Sequence, residues 1–186
     1  MKNIAIFASG SGTNAENIIN YFEDSSVANV AVVLTNNIKA GVIERAHSLF
    51  TDVNVFNRDD FYNSEKIINL LAQYNIDLVV LAGFLWLVPQ NLIDKFENRI
   101  INIHPALLPK YGGKGMYGMR VHEAVVEARE AKSGITIHKV NSVYDDGQII
   151  FQADFDLDEN ETPLSLATKI HRLEYKHFPK VIESLL

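Results

Sequence analysis

Two polar side chains stand at the end of an apolar run in "RIINIHPALLPKYGG", residues 99–113: Asn102 and His104. An amide can donate to a developing oxyanion, and an imidazole can donate or move a proton, so the pair suits acyl-type chemistry. Strand alternation places both on one face, with Ile101 and Ile103 on the other. A strand buried on both sides cannot hold them unpartnered, because a buried unpaired polar group costs about 1–3 kcal/mol. Either that face is solvated at a sheet edge, or the pair reaches into a cleft at the strand's carboxyl end. Pro105 stops the strand directly after His104 and favours the cleft.

A second polar cluster lies in "GITIHKVNSVYDDGQII", residues 134–150. Thr136 and His138 share a face opposite Ile135 and Ile137, and Asp145 and Asp146 follow in a turn. Asp-Asp-Gly is also ordinary turn chemistry. A third candidate is "ASGSGTNAENII", residues 8–19. Gly10 and Gly12 allow a tight turn that brings backbone N–H groups to an anion at a helix N-terminus, and Thr13 and Asn14 add side-chain donors. Gly10-x-Gly12-x-x-Ala15 formally fits a dinucleotide fingerprint, which also wants an acid about 20 residues on. The second strand ends "LTNN" without one, so a smaller phosphate is expected. A plain strand–helix turn explains the same glycines.

Positioning these loops requires alternating elements. Strand-like runs span 3–8, 27–35, 52–56, 77–84, 99–104, 134–140 and 148–155, with helix-period runs at 14–23, 39–49, 64–75, 89–98, 121–131 and 162–185. Ser64, Pro89 and Thr162-Pro163 read as helix starts. The pattern predicts an α/β fold: a doubly wound, mostly parallel sheet of about seven strands, with one antiparallel hairpin in the C-terminal half. In such folds ligands sit beyond the carboxyl ends of the strands, where all three loops fall. No repeat, low-complexity tract or linker divides residues 1–186, which are expected to form one domain.

Composition narrows the chemistry. The 186 residues contain no cysteine, which removes disulfides, thiolate nucleophiles and cysteine-held metals. The six histidines lack metal-ligand spacing, and no metal is expected. A formal net charge of −6 argues against nucleic acid as a partner. No run approaches the ~20 apolar residues of a membrane span, and no signal peptide opens the chain, so a cytoplasmic protein without a membrane partner is expected.

Taken together, "SGSGTN", "NIHPALLPKY" and "GITIHKV…DDGQII" resemble the folate-dependent N-formyltransferases, a likeness that runs from residue 3 to about 182. It implies a Rossmann-like formyltransferase fold and a one-carbon transfer of de novo purine biosynthesis. A formyl group would pass from 10-formyltetrahydrofolate, as co-substrate, to the amine of a phosphoribosyl glycinamide through a tetrahedral intermediate. Asn102, His104 and Asp145 match the family's catalytic residues: an oxyanion donor, a positive donor if protonated, and a carboxylate that moves the proton through water. Gly12, Thr13 and Asn14 match its phosphate loop, and Glu174 a last-helix carboxylate facing the amine end. From the residues alone Glu174 reads equally as a solvated helix-face charge. The folate would lie against Leu85, Trp86, Leu87 and Val88 and against Asn141, Ser142, Val143, Tyr144 and Asp145, with Asn102 between. The 85–88 run reads equally as core.

Departures from the family pattern are specific. Asp146 replaces a usual glycine, and Trp86 stands where a basic residue is common. The 58–66 stretch is short and offers no assigned match to the family's folate-contacting arginine. "KYGGKGMYGMRVH", residues 110–122, is glycine-rich and suggests a flap, with His122 a match to a family histidine. Three other functions fit parts of the pattern. A formyltetrahydrofolate deformylase would carry an N-terminal domain, whereas the first strand here begins at residue 3. A methionyl-tRNA formyltransferase would carry a C-terminal domain and a basic surface. A non-catalytic phosphate-binding module would leave Asn102, His104 and Asp145 without a joint purpose. The expected partners are small molecules, with the chain a monomer or homodimer.

Overall fold

The computed structural model describes residues 1–186. Its strands are β1 (Lys2–Phe7), β2 (Ala28–Thr35), β3 (Asp52–Val55), β4 (Leu78–Leu81), β5 (Ile100–His104), β6 (Lys132–Lys139) and β7 (Ile149–Asp156). Its helices are α1 (Thr13–Phe22), α2 (Val42–Ser48), α3 (Arg58–Tyr62), α4 (Lys66–Gln73), α5 (Gln90–Lys95), α6 (Met119–Glu127) and α7 (Pro163–Ser184). The seven strands form one sheet in the order β3-β2-β1-β4-β5-β6-β7. The first five run parallel, β6 runs antiparallel to β5, and β7 antiparallel to β6. The β6–β7 hairpin is the one expected. The antiparallel β5–β6 pairing goes beyond it, and it sets Asn102 opposite His138 and His104 opposite Thr136.

Alternation along β1 explains the two cores. Ile4 and Ile6 enter a cluster capped by α1, α6 and α7, while Ala5 and Phe7 enter a second beneath α4 and α5. The second is rich in aromatics: Phe61 packs on Phe7, Phe56 and Phe84, and Trp86 lies beside Phe56, Phe61 and Phe84. Each such fully buried ring contributes roughly 1.5–3 kcal/mol. Phe61 belongs to α3, a short helix between the strand-like run 52–56 and the helix-period run 64–75. Asn57 caps it reciprocally with Asp60, and its Tyr62 hydroxyl donates to the Leu87 carbonyl at 3.0 Å, which fixes the loop after β4. Ser64 is not the cap of α4. Glu65 holds that position, and the Ser64 hydroxyl donates to the Asp60 carbonyl while accepting from Lys66 N–H at the start of the helix.

α7 starts as expected, with Pro163 in its first turn behind a Thr162–Ser165 capping box. It passes through Pro179 without ending. Proline lacks the N–H that would bond the Tyr175 carbonyl four residues earlier, and Asn17 Nδ2 of α1 fills that vacancy at 3.1 Å. The repair locks α7 onto α1 one residue from Glu174. No helix is long and apolar enough to cross a membrane.

Candidate active site

A cavity of about 610 Å³ opens at the carboxyl ends of the parallel strands and gathers residues from four loops and from α6 and α7. Gly12, Thr13, Asn14, Leu85, Asn102, His104, Tyr144, Asp145 and Glu174 all line it. A narrow adjoining cleft of about 50 Å³ is lined by Trp86, Leu87, Val88, Asn141 and Val143, and it shares Asn102, Tyr144 and Asp145 with the larger space. Ser142 lines neither and is exposed.

The glycine loop is shaped for an anion. Gly12 sits at the N-cap of α1 in the left-handed region, φ 79°, with no side chain capping the first turn. A Cβ there would lie 2.5 Å from Val42 Cβ, so both backbone and space demand glycine. α2 braces the loop from outside: Val42 N–H bonds the Gly10 carbonyl at 3.2 Å, and Arg45 bonds the Ser11 carbonyl at 3.0 Å. The uncapped N–H groups of α1 therefore stay available to a ligand.

Asn102, His104 and Asp145 converge on one wall. His104 is 3 % exposed and Asn102 partly buried on the same face, as alternation predicts. Pro105 and the following turn are held from β6, where Thr136 Oγ1 donates to the Ala106 carbonyl at 2.7 Å and accepts from Leu108 N–H at 3.0 Å. Asp145 adopts the left-handed conformation itself, φ 54°, and Asp146 points outward to accept from Asn141. Asp145 Oδ2 accepts from Gly113 N–H at 2.9 Å and lies 3.5 Å from His104 Nδ1. Oδ1 lies 3.4 Å from Asn102 Nδ2 and 3.6 Å from His138 Nε2. His138 Nδ1 faces the Lys139 carbonyl at 2.8 Å and so carries the hydrogen. Its Nε2 lies 3.1 Å from Asn102 Nδ2 and packs the amide against Asp145.

The charges follow from these contacts. Burial would raise the Asp145 carboxyl, but the neighbouring His138 and the Gly113 N–H outweigh it and hold the group below the usual carboxylate range. Burial depresses His104, and this outweighs the lift from Asp145 and the Tyr111 carbonyl. The carboxylate expected to favour an imidazolium is present, yet the free site holds His104 on the neutral side. Its Nε2 faces the Tyr111 carbonyl at 2.7 Å and carries the hydrogen, leaving Nδ1 bare toward Asp145.

The other end of the cavity is built differently. Glu174, 6 % exposed, is buried rather than solvated, and its one hydrogen bond comes from Asn14 Nδ2 at 2.9 Å. Burial pushes its carboxyl up to about 7, against the pull of Asn14. Asn14 Oδ1 and His122 Nδ1 are buried without any partner. Burial takes His122 down to about 4, with His171 and His104 adding to the effect.

Four residues of this region carry no role in the sequence reading. His138 is signalled by its alternation in "ITIH", but its contact with Asn102 depends on β5–β6 register. Tyr111 and Gly113 act through backbone atoms, which leave no side-chain signal. Arg58 stacks 5.1 Å from the Trp86 ring and 5.5 Å from Tyr62, a placement visible only once α3 is recognised.

The chain is similar to known proteins over its whole length. Residues 2–182 match the family model described as formyl transferase. The chain is 40 % identical over 190 residues to a chloroplastic phosphoribosylglycinamide formyltransferase of Arabidopsis thaliana, covering 99 % of this chain but 65 % of that protein. It is 35 % identical to the phosphoribosylglycinamide formyltransferase of Bacillus subtilis, covering 100 % of this chain and 95 % of the relative. The crystal structure of the Bacillus halodurans phosphoribosylglycinamide formyltransferase superposes with a TM-score of 0.88 at 36 % identity, over 100 % of this chain and 95 % of the other.

Proposed function

The chain belongs to the formyl transferase family, and on that premise we propose that it transfers a formyl group from 10-formyltetrahydrofolate to the amine of glycinamide ribonucleotide. The observation that carries this reading is the meeting of Asn102, His104 and Asp145 in the same cavity as the uncapped glycine loop. This arrangement supports acyl chemistry and phosphate recognition within one substrate's reach. Residues 1–186 act as one formyltransferase domain, working on small molecules in the cytoplasm.

The N–H groups that open α1 hold the phosphate, with Thr13 beside them. Asn14 and Glu174 line the far end and take the polar groups of the glycinamide. The adjoining cleft admits the edge of a flat heteroaromatic ring from the larger cavity, between the 85–88 loop and the 141–145 turn. Arg58, stacked beside Trp86, is the cation placed to meet an anionic tail there.

Attack by the neutral amine forms the C–N bond and turns the formyl oxygen into an oxyanion. Asn102 Nδ2 donates to it by exchanging its long, 3.4 Å contact with Asp145, while His138 packs against the amide. Asp145, already ionised, takes the ammonium proton directly or through one water. His104 can accept a proton only at Nδ1, beside Asp145, so the pair passes it to the departing folate nitrogen as the C–N bond to folate breaks. The proton lost by one nitrogen ends on the other.

Purified protein mixed with both substrates tests the reading. Folate product is expected only when the ribonucleotide is present. Turnover independent of the ribonucleotide would identify a deformylase instead, and no turnover with either would leave a binding module.

A further inference from the structure

The segment leading away from His104 is tied to a carboxylate outside the cavity. Tyr111 lies in the left-handed region, φ 58°, and its backbone and side chain point to different partners. Its carbonyl takes the His104 Nε2 hydrogen at 2.7 Å, while its hydroxyl donates to Glu130 Oε1 at 2.8 Å. Lys110 Nζ reaches the same Glu130 oxygen at 2.8 Å. Two residues further on, Gly113 N–H holds Asp145 Oδ2. Between them a Cβ at Gly112 would lie 2.5 Å from Leu108 Cδ2 and 3.1 Å from Asp145 Cβ, so glycine is what lets the segment pass this close. Glu130 itself is anchored, its N–H bonding the Val125 carbonyl of α6 at 3.4 Å.

A neutral imidazole has one hydrogen, and the group facing its second nitrogen decides where that hydrogen sits. With the Tyr111 carbonyl in place, it sits on Nε2 and Nδ1 is bare toward Asp145. With the carbonyl withdrawn, the hydrogen is free to move to Nδ1 and bond Asp145, and the vacancy for the next proton shifts to Nε2, away from Asp145. We propose that Glu130 and the Tyr111 hydroxyl are positioning residues that clamp residues 110–113, so that the backbone there fixes the His104 tautomer and the aim of the Asp145 carboxylate. The Lys110–Glu130 ion pair, with Lys110 mostly exposed, adds little by itself. The clamp is the more enclosed Tyr111 hydroxyl, whose proton burial and Glu130 hold up to about 12.

The proposal rests on His104 and Asp145 being the proton-transfer pair, so its first readout needs no substrate. Nitrogen-15 NMR of the His104 ring at pH 7.5 is expected to show a hydrogen on Nε2 alone in the wild type. Tyr111→Phe and Glu130→Ala should each give a mixture of tautomers. In turnover, both should lower kcat by roughly tenfold with KM for each substrate changed by less than about twofold. The acid limb of their pH profiles should move to higher pH, because losing the Gly113 N–H removes one of the contacts that hold Asp145 ionised. The charged and titratable groups facing this pair are His138 of β6 and His122 of α6, and neither is altered. Glu130→Gln keeps an oxygen for the hydroxyl and should recover the wild-type ring signal and most of kcat. A wild-type ring signal in both Tyr111→Phe and Glu130→Ala overturns the clamp, as does a Glu130→Gln variant as impaired as Glu130→Ala. A wild-type protein with the expected tautomer but no formyl transfer would instead sink the proposed function.

Discussion

Asp145 and Glu174 are carboxylates on the same cavity, and they meet opposite environments. Asp145 has four polar groups within 3.6 Å, two per oxygen, and is held ionised. Glu174 has Asn14 alone and is pushed up to about 7, with Asn14 Oδ1 and His122 Nδ1 left buried and unpartnered nearby. The first end is complete before any ligand arrives, which suits groups that must stabilise a transition state without rearranging. The second is incomplete, and each unpaired polar atom costs about 1–3 kcal/mol until a ligand supplies the partner. Chemistry is prepaid at one end and recognition is deferred at the other.

The contrast breaks most visibly at the first end. Asp145→Asn should lower kcat at least about a hundredfold, and His104→Ala by about the same or slightly less, with circular dichroism unchanged. Near-normal turnover in either variant removes that residue from proton transfer.

Glu174→Gln tests the second end and should do two things at once. KM for the ribonucleotide should rise about tenfold, the loss of one well-placed polar contact, while kcat moves little. Stability should rise in alkaline buffer. The folded carboxyl titrates at about 7 and the unfolded one at 4.5, so wild-type stability falls as pH climbs between these values and is level above. Removing the charge should therefore recover on the order of 3 kcal/mol at pH 8 and almost nothing at pH 4. Urea melts at both pH values measure this difference. A large kcat loss at unchanged KM would put Glu174 in the chemistry and dissolve the distinction between the ends.

The smallest expected effect sharpens the same point. Asn17→Ala strands the Tyr175 carbonyl and should cost about 1 kcal/mol in a denaturant melt. KM should rise modestly because Glu174, one residue away on α7, is held less firmly. A kcat change without a KM change would argue against that coupling.

The first end was the legible one. Asn102 and His104 announce themselves because a period-2 strand should not carry two polar residues on one buried face, and Pro105 says where the strand stops. Asp145 needed the family resemblance, since Asp-Asp-Gly is common turn chemistry. The second end was opaque for a physical reason. Whether Glu174 faces solvent or a cavity depends on how α7 docks, and no local pattern in "HRLEYKHF" encodes that. The parallel strands followed from their near-continuous apolar runs. The antiparallel β5–β6 pairing did not, because a helix intervenes between those strands just as in the parallel units. α3 was missed because five residues are too few to reveal a period.

The two asparagines of α1 have one more consequence, and it concerns biosynthesis. Asn14 and Asn17, one helical turn apart, grip adjacent positions of α7 about 160 residues downstream. A nascent chain can lay down β1 to β4 and their helices as they leave the ribosome, since those contacts are comparatively local. The glycinamide end of the cavity has no wall until the C-terminal helix has emerged and docked. Substrate binding thus becomes possible only once α7 has left the ribosome, and in a chain stalled before α7 the two parts of the active site are uncoupled.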